Sequence, residues 1–362
     1  MSDLRFIDLF AGVGGFHLAL QNLGAKCVFA SEINTSAQKV YHRNFDIFPH
    51  GDIRSIAPSE IPDFDILTAG FPCQPFSLNG KKEGFRDETR GTLFFDIAET
   101  LQVKQPKMLL LENVKGIVTH DKGNTIKTIN AVLRDLGYTI HSKVLNTYDF
   151  GLPQNRERWY CVGFLNPIAF EFPLGNRRGS TLKDVIESTH YDSELLFPKE
   201  EQDRIDYHFK HYHKNPRVEH CNKHHNPKSK QGRYGVFSYL KPDNSLRFHT
   251  GDVAKSQIQD DYYVSLQGVS PTLIATRAPK MWDLRRHMSV LECQRLQGFP
   301  DDFDFSDVTI KVAKKQLGNA VTVKVVEEIA SQMISYYLKN IPDLRSDISK
   351  KSGRKDPQLS FL

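Results

Sequence analysis

Over roughly the first 165 residues, short apolar runs alternate with amphipathic stretches, and that alternation admits few architectures. The runs Leu4–Phe10, Lys26–Ser31, Ile66–Ala69, Met108–Glu112, Thr139–Asn146 and Arg158–Phe164 read as strands. Between them, Gly14–Gln21, Ala37–Asn44, Thr92–Val103 and Asn124–Leu136 read as helices. The pattern predicts an α/β fold, a doubly wound and mostly parallel sheet over residues 1–164. After Phe164, Pro, Gly, Asn, His and charge become frequent, and helical periodicity fades until Ser289. Residues 165–283 therefore read as a smaller, irregular second domain. Residues 284–342 return to a regular pattern that completes the first domain, with a long amphipathic helix over Val321–Leu338, and 343–362 form a polar tail expected to lack structure.

The first strand runs into Phe10-Ala11-Gly12-Val13-Gly14-Gly15-Phe16. Gly12 and Gly14 fit a dinucleotide-type loop, but His17 stands where the third glycine belongs. Read alone, the loop fits a cofactor turn and a plain tight turn equally well. Acids add direction. Glu32 closes the next strand, where a carboxylate can bind ribose hydroxyls. Asp52 follows the next apolar segment and is placed to accept from an adenine amino group. Asp8, beneath the turn, suits a cationic ligand better than a pyrophosphate. A nucleoside with a positively charged tail fits this set, which points to S-adenosylmethionine.

Ile66-Leu67-Thr68-Ala69 ends in Gly70-Phe71-Pro72-Cys73-Gln74-Pro75-Phe76-Ser77. A lone cysteine is usually a small buried hydrophobe. One set between prolines at the carboxyl edge of a sheet is placed instead as a nucleophile, provided something takes its proton.

The chain has 39% hydrophobic and 25% charged residues, and no apolar stretch approaches the length of a membrane span. The first strand begins almost at Met1, so no leader is expected, and five scattered cysteines suit a reducing, cytoplasmic setting. The net charge of +5 permits a polyanionic partner. From Arg204 to Arg233 there are eight Lys/Arg, two Asp/Glu and six His. His208, His211, His213, His220, Cys221, His224 and His225 invite a zinc reading, but no Cys-x-x-Cys occurs, so no metal is expected. The stretch reads better as a basic face for the phosphates of a polyanion, with Lys223, Lys228, Lys230 and Arg233 as contacts.

Further motifs are Leu109-Leu110-Leu111-Glu112-Asn113-Val114, Gln154-Asn155-Arg156-Glu157-Arg158, Glu292-Cys293-Gln294-Arg295-Leu296-Gln297-Gly298-Phe299-Pro300 and Gln316-Leu317-Gly318-Asn319-Ala320-Val321. In this order, with the glycine loop and the Pro-Cys turn, they make the chain resemble the DNA (cytosine-5)-methyltransferases over residues 6–164 and 285–326. The resemblance implies an enzyme that moves a methyl group from S-adenosylmethionine to C5 of a cytosine flipped out of double-stranded DNA. Cys73 would add to C6, Glu112 would assist at N3 and the 4-amino group, and Arg158 would stabilise charge at O2. Arg156 is assigned to organising the site or to a phosphate near Cys73. Cofactor residues carried over are Phe10, Gly12, Gly14, Glu32, Asp52, Ile53, Leu93, Asn319 and Val321, with Phe16 either on the cofactor or in the core.

On the DNA side, Ser77, Asn79, Lys81, Lys82, Arg86 and Arg90 lie in or beside Leu78–Arg90, which is expected to close over the flipped base. Thr272, in Pro271-Thr272-Leu273, is expected to support the backbone of the flipped nucleotide. The compact length suits a bacterial restriction-modification enzyme, nucleoid-associated and monomeric, with a cognate endonuclease that forms no stable complex with it. An RNA methyltransferase of the same scaffold usually has Thr at the Ser77 position and a Cys-Phe-Thr element, both absent here. A silent DNA-binding homologue is opposed by the intact Cys73, Glu112 and Arg158. An adenine amino-methyltransferase lacks its Pro-Pro-aromatic motif, and a dehydrogenase is opposed by His17.

Overall fold

The computed structural model describes residues 4–72, 93–187, 193–212, 220–221, 235–240, 245–252 and 256–352. The first strands and helices are β1 (Arg5–Leu9), α1 (Gly15–Asn22), β2 (Lys26–Ser31), α2 (Thr35–Phe45), β3 (Ile66–Gly70), α3 (Leu93–Lys104), β4 (Met108–Val114), α4 (Asn124–Asp135), β5 (Thr139–Asn146), β6 (Gln154–Asn155) and β7 (Glu157–Phe164). A six-stranded sheet has the order β2-β1-β3-β4-β7-β5. β2, β1, β3 and β4 run parallel, and β7 is antiparallel to both β4 and β5. Both faces are covered, which is why β1, β3 and β4 are nearly continuous apolar runs. Phe94, Ile97, Leu101, Ile129 and Leu133 of α3 and α4 pack on one face. Phe16, Leu20, Val40 and Tyr41 of α1 and α2 pack on the other.

The reversed β7 matters for the site. A short connection suffices to join antiparallel strands. It lets the start of β7 meet the end of β4, with Val114 opposite Arg158 and Glu112 opposite Tyr160. Side chains alternate faces, so Glu112 and Arg158 become diagonal neighbours on one face.

The segment expected to be irregular is more ordered than its composition suggests. It contributes α5 (Lys199–Tyr212), β8 (His220–Cys221), β9 (Gly235–Leu240), β10 (Leu246–Asp252), β11 (Ser256–Val264), β12 (Ser270–Pro271) and β13 (Lys280–Met281). With β14 (Arg286–His287), a second six-stranded sheet forms in the order β14-β13-β11-β10-β9-β8. Its strands mix His, Arg, Asp and Gln with few aliphatics, which hides the alternation. A small core of Phe197, Ile205, Leu246 and Tyr263 lies beside it. β12 leaves that sheet and pairs in parallel with β6.

The chain then returns through α6 (Val290–Gln297), α7 (Ile310–Asn319) and α8 (Val323–Ser352). Ser289 and Glu292 form a capping box at the start of α6, and Gly298 ends it at φ 78°. Extended Ala320 separates α7 from α8, and α8 packs on α1. α8 continues to Ser352, beyond the point where an unstructured tail was expected. No helix of the described residues is long and apolar enough to cross a membrane.

Candidate active site

The carboxyl ends of β1, β3 and β4 and the start of β7 lie at one edge of the sheet, the edge where open α/β sheets form the crevice that holds their ligands. Gly70, the last residue of β3, lies opposite Glu112 of β4. A Cβ on Gly70 would lie 3.5 Å from Phe16, 3.7 Å from Glu112 Oε2 and 3.7 Å from Val321. Those three side chains therefore converge just before the Pro-Cys turn. The turn is anchored on its near side, where Asn113 Nδ2 donates to the Phe71 carbonyl at 2.7 Å. Cys73 lies one residue past Pro72, outside the described residues, as do Ser77, Asn79, Lys81, Lys82, Arg86, Arg90 and the whole of Leu78–Arg90.

Glu112 is buried, with 8% of its surface exposed. Its Oε1 lies 3.2 Å from Arg158 Nε. Burial raises its pKa above the ordinary carboxyl value, and the positive charges of Arg158 and Arg156 offset that only in part. A carboxyl in that state can hold a proton that a nearby base needs. Arg158 turns a second nitrogen back to the Glu157 carbonyl at 2.9 Å.

Arg156 lies inside the protein. Its Nη1 donates to the Leu273 carbonyl at 2.8 Å and to the Gly318 carbonyl at 3.2 Å, and its Nη2 to the Ala320 carbonyl at 2.7 Å. With 1% exposure its guanidinium is turned to these three carbonyls and away from solvent. Burial, then the charge of Arg158, lowers its pKa to about 10.

The glycine loop is built for close approach. Phe10 and Gly12 both take left-handed backbone at φ 55°. A Cβ on Gly12 would meet open space, so the loop is open to close approach at that position. Gly14, at φ 90°, is different, because any Cβ there would collide with the Phe45 ring. His17 stacks on that ring at 3.9 Å, and its Nδ1 lies 2.7 Å from the Tyr41 hydroxyl. The residue that breaks the dinucleotide pattern thus ties the loop to α2.

Glu32 Oε2 accepts from the Gly12 N–H at 2.8 Å, and Oε1 accepts from the Asn34 N–H at 2.7 Å. Asp52 is occupied by Arg54, through its backbone N–H at 3.0 Å and its guanidinium at 2.5 Å, which lowers the pKa of Asp52. Ile53 beside it is buried in the second core. Leu93 begins α3 half-buried, Asn319 ends α7 exposed, and Val321 presses on Gly15. Asp8 does not face the crevice. It is fully buried and accepts from the Thr68 hydroxyl at 3.0 Å, and burial pushes its pKa well up. The turn covers it, so it supports the loop from below.

Thr272 donates to the Asn155 carbonyl at 2.7 Å, at the point where β12 meets β6. Arg233 and the side chains of the histidine-rich stretch 208–225 lie outside the description, Lys210 excepted. Among the described residues no group of three or more His, Cys, Asp or Glu side chains is placed to hold a metal. Sequence reasoning passed over Asn113, which pins Phe71, and Ile33, which is 66% exposed beside Glu32. An aliphatic residue directly after the ribose-type acid was the available signal.

A family model for C-5 cytosine-specific DNA methylases matches residues 4–335. The chain belongs to the C-5 cytosine-specific DNA methylase family. It is therefore a DNA (cytosine-5)-methyltransferase, and the crevice between β3, β4 and β7 is its candidate catalytic centre. Among similar proteins, the type II methyltransferase M.HaeII of Haemophilus aegyptius is 41% identical over 335 residues, 92% of this chain and 94% of that protein. M.NgoBI of Neisseria gonorrhoeae is 41% identical over 323 residues, 89% of this chain and 90% of that one. Of solved structures, S. pombe Dnmt2 methyltransferase superposes with a TM-score of 0.64 at 20% identity, covering 92% of this chain and 98% of its own. The Entamoeba histolytica methyltransferase EhMeth gives 0.61 at 17% identity, with 94% and 99% covered. At those identities the likeness is one of fold.

Proposed function

We propose that this methyltransferase acts on a cytosine flipped out of duplex DNA, through a covalent bond between Cys73 Sγ and C6. The observation that carries the reading is Glu112, a buried carboxyl with a raised pKa, 3.2 Å from Arg158 at the edge where β3 runs on toward Cys73.

C5 of cytosine is too weak a nucleophile to take a methyl group unaided. Attack of the Cys73 thiolate on C6 forms the S–C6 bond and sends the ring π electrons toward N3. A proton or hydrogen bond from Glu112 at N3 neutralises that charge and leaves an enamine with electron density at C5. Arg158 stabilises charge at O2. After C5 has gained its methyl group, its proton leaves to a bound water. The C5–H electron pair re-forms the C5–C6 double bond as the S–C6 bond breaks, the thiolate is released, and N3 returns any proton it received to Glu112.

S-adenosylmethionine would supply the methyl group on a sulfonium that makes it electrophilic. The loop fits such a group: Gly12 offers unobstructed backbone, and Glu32 ends β2 beside it. Glu32, Asp52 and Ile53 would hold the nucleoside, with the exposed Ile33 face beside them. Phe10, Phe16, Leu93, Asn319 and Val321 would form the walls. Phe16 and Val321 support this role because both reach the same Gly70 edge as Glu112.

The enzyme works as a monomer in bacterial cytoplasm, on one strand at a time. As a type II enzyme, like the relatives above, it would protect host DNA from a cognate endonuclease. Residues 165–283 would recognise the target sequence. The test is bisulfite sequencing of a plasmid from cells expressing the protein, beside a Cys73→Ala control. Protected cytosines in one short sequence, absent from the control, are expected. Protection that survives Cys73→Ala would remove the covalent route, and no protection would remove the DNA substrate.

A further inference from the structure

The segment returning from the second sheet and the segment closing the cofactor crevice meet in one buried polar knot. Gln154, Arg156, Gln297 and Thr322 are each at most 1% exposed. Gln154 Oε1 accepts from the Leu273 N–H at 2.9 Å, while Arg156 donates to the Leu273 carbonyl at 2.8 Å. Both polar groups of that peptide position are thereby fixed by β6 and its successor. Gln154 Nε2 donates to the Leu296 carbonyl at 3.0 Å and to Gln297 Oε1 at 3.1 Å. Gln297 Nε2 donates to the carbonyls of Leu317 at 2.6 Å and Ala320 at 3.2 Å, and its Oε1 also accepts from Thr322 at 3.1 Å. Ala320 thus accepts from both Arg156 and Gln297. Gly318 lies so close to the Ile274 backbone that any side chain there would collide with it.

Each end of this knot touches one proposed binding site. Leu273 follows Thr272, on the target-facing turn. Ala320 precedes Val321, whose side chain presses on Gly15 and reaches Gly70. The groups of this buried network are paired, Arg156 Nε excepted, and such a network is stiff, because a shift that breaks one bond strands a desolvated partner. Movement at Leu273 is therefore transmitted to Ala320 and Val321.

We propose that Gln297, with Gln154 and Arg156, couples duplex DNA binding at the Thr272 turn to cofactor affinity at the Val321 wall. These are positioning residues that touch neither ligand, and the inference rests on the function proposed above. Coupling is reciprocal, so either ligand reports it.

The test uses calorimetric titration of the full chain with S-adenosylhomocysteine, with and without a saturating duplex carrying the sequence mapped by bisulfite. The unmodified protein is expected to bind S-adenosylhomocysteine about 10-fold more tightly with the duplex present. Gln297→Met keeps the shape but not the bonds. It should leave the affinity without DNA within about 3-fold while the enhancement falls below about 2-fold. Thr322→Val removes one bond and serves as the milder variant, with an intermediate enhancement expected. Weaker binding with the enhancement intact, in both variants, would overturn the coupling and leave a merely structural role. An unmodified protein indifferent to the duplex would also overturn it. Failure of the unmodified protein to bind S-adenosylhomocysteine at all would overturn the function reading itself, and the coupling with it.

Discussion

Two buried carboxylate–guanidinium pairs sit on either side of this enzyme, and they are built differently. Glu292 and Arg286 are both wholly buried and meet twice, at 2.6 and 2.8 Å. Glu292 also accepts from the N–H groups of Ser289 at 2.8 Å and Glu187 at 3.2 Å. Glu112 and Arg158 meet once, at 3.2 Å, at the lip of the crevice. Among the described residues no backbone N–H donates to Glu112. In the first pair the carboxylate takes four donors, and it holds α6 against β14. At the second, desolvation outweighs the attraction of Arg158 and Arg156, which raises the pKa of Glu112. A carboxylate with four donors ties two elements together, whereas one beside a single guanidinium at 3.2 Å keeps a raised pKa.

The largest effect that distinguishes the pairs is expected from Glu112→Gln. Loss of the proton donor should lower kcat by about 10²–10⁴, with thermal stability held or slightly raised. The pH dependence has a definite sign. The folded pKa of Glu112 is raised above its ordinary 4.5, so the folded state keeps a proton that the unfolded chain has lost. Both stability and the supply of the donor therefore fall as pH rises from about 4.5 through the folded value. A kcat–pH profile should show that descending limb, and Glu112→Gln should lack it.

The mirror-image variant, Glu292→Gln, should instead cost about 3–5 kcal/mol of stability in a denaturant titration. Its remaining folded fraction should turn over at the normal rate. If Glu292→Gln slowed chemistry while leaving stability intact, the contrast between the pairs would be lost.

Smaller effects probe how firmly the crevice floor is held. Gly14→Ala forces a side chain into left-handed backbone against Phe45 and should cost about 1–3 kcal/mol, with weaker cofactor binding in the same titration. His17→Phe keeps the stacking and loses the Tyr41 hydrogen bond, about 1 kcal/mol at neutral pH. Burial lowers the His17 pKa to about 4, so the unfolded chain gains a proton first on acidification. The stability of the unmodified protein relative to His17→Phe should therefore fall from about pH 6.5 to about pH 4.

The parts of this arrangement that were legible in sequence are those fixed locally. Continuous apolar runs marked β1, β3 and β4, because burial on both faces leaves no polar positions. Gly12 and Gly14 were legible as a turn because left-handed backbone there favours glycine. The direction of β7 was not, since a strand carries no mark of its polarity, although the Glu112–Arg158 pairing follows at once when the direction is known. The role of Arg156 depended on carbonyls 117 and 164 residues away, which no local pattern reports. α5 was hidden because half of its residues are charged, with Ile205 a buried apolar residue among them.

Glu112 and Arg158 are proposed to serve a thiolate that bonds to the target ring. The direct test places 5-fluorocytosine at the mapped position of a duplex, so that no proton can leave C5 after methyl transfer. Incubation with S-adenosylmethionine should yield a protein–DNA adduct that survives denaturation and has the mass of the two plus one methyl group. Cys73→Ala should give none, and Glu112→Gln should form it slowly. An unmodified enzyme that methylates the ordinary duplex yet leaves no adduct on the fluorinated one would contradict the account.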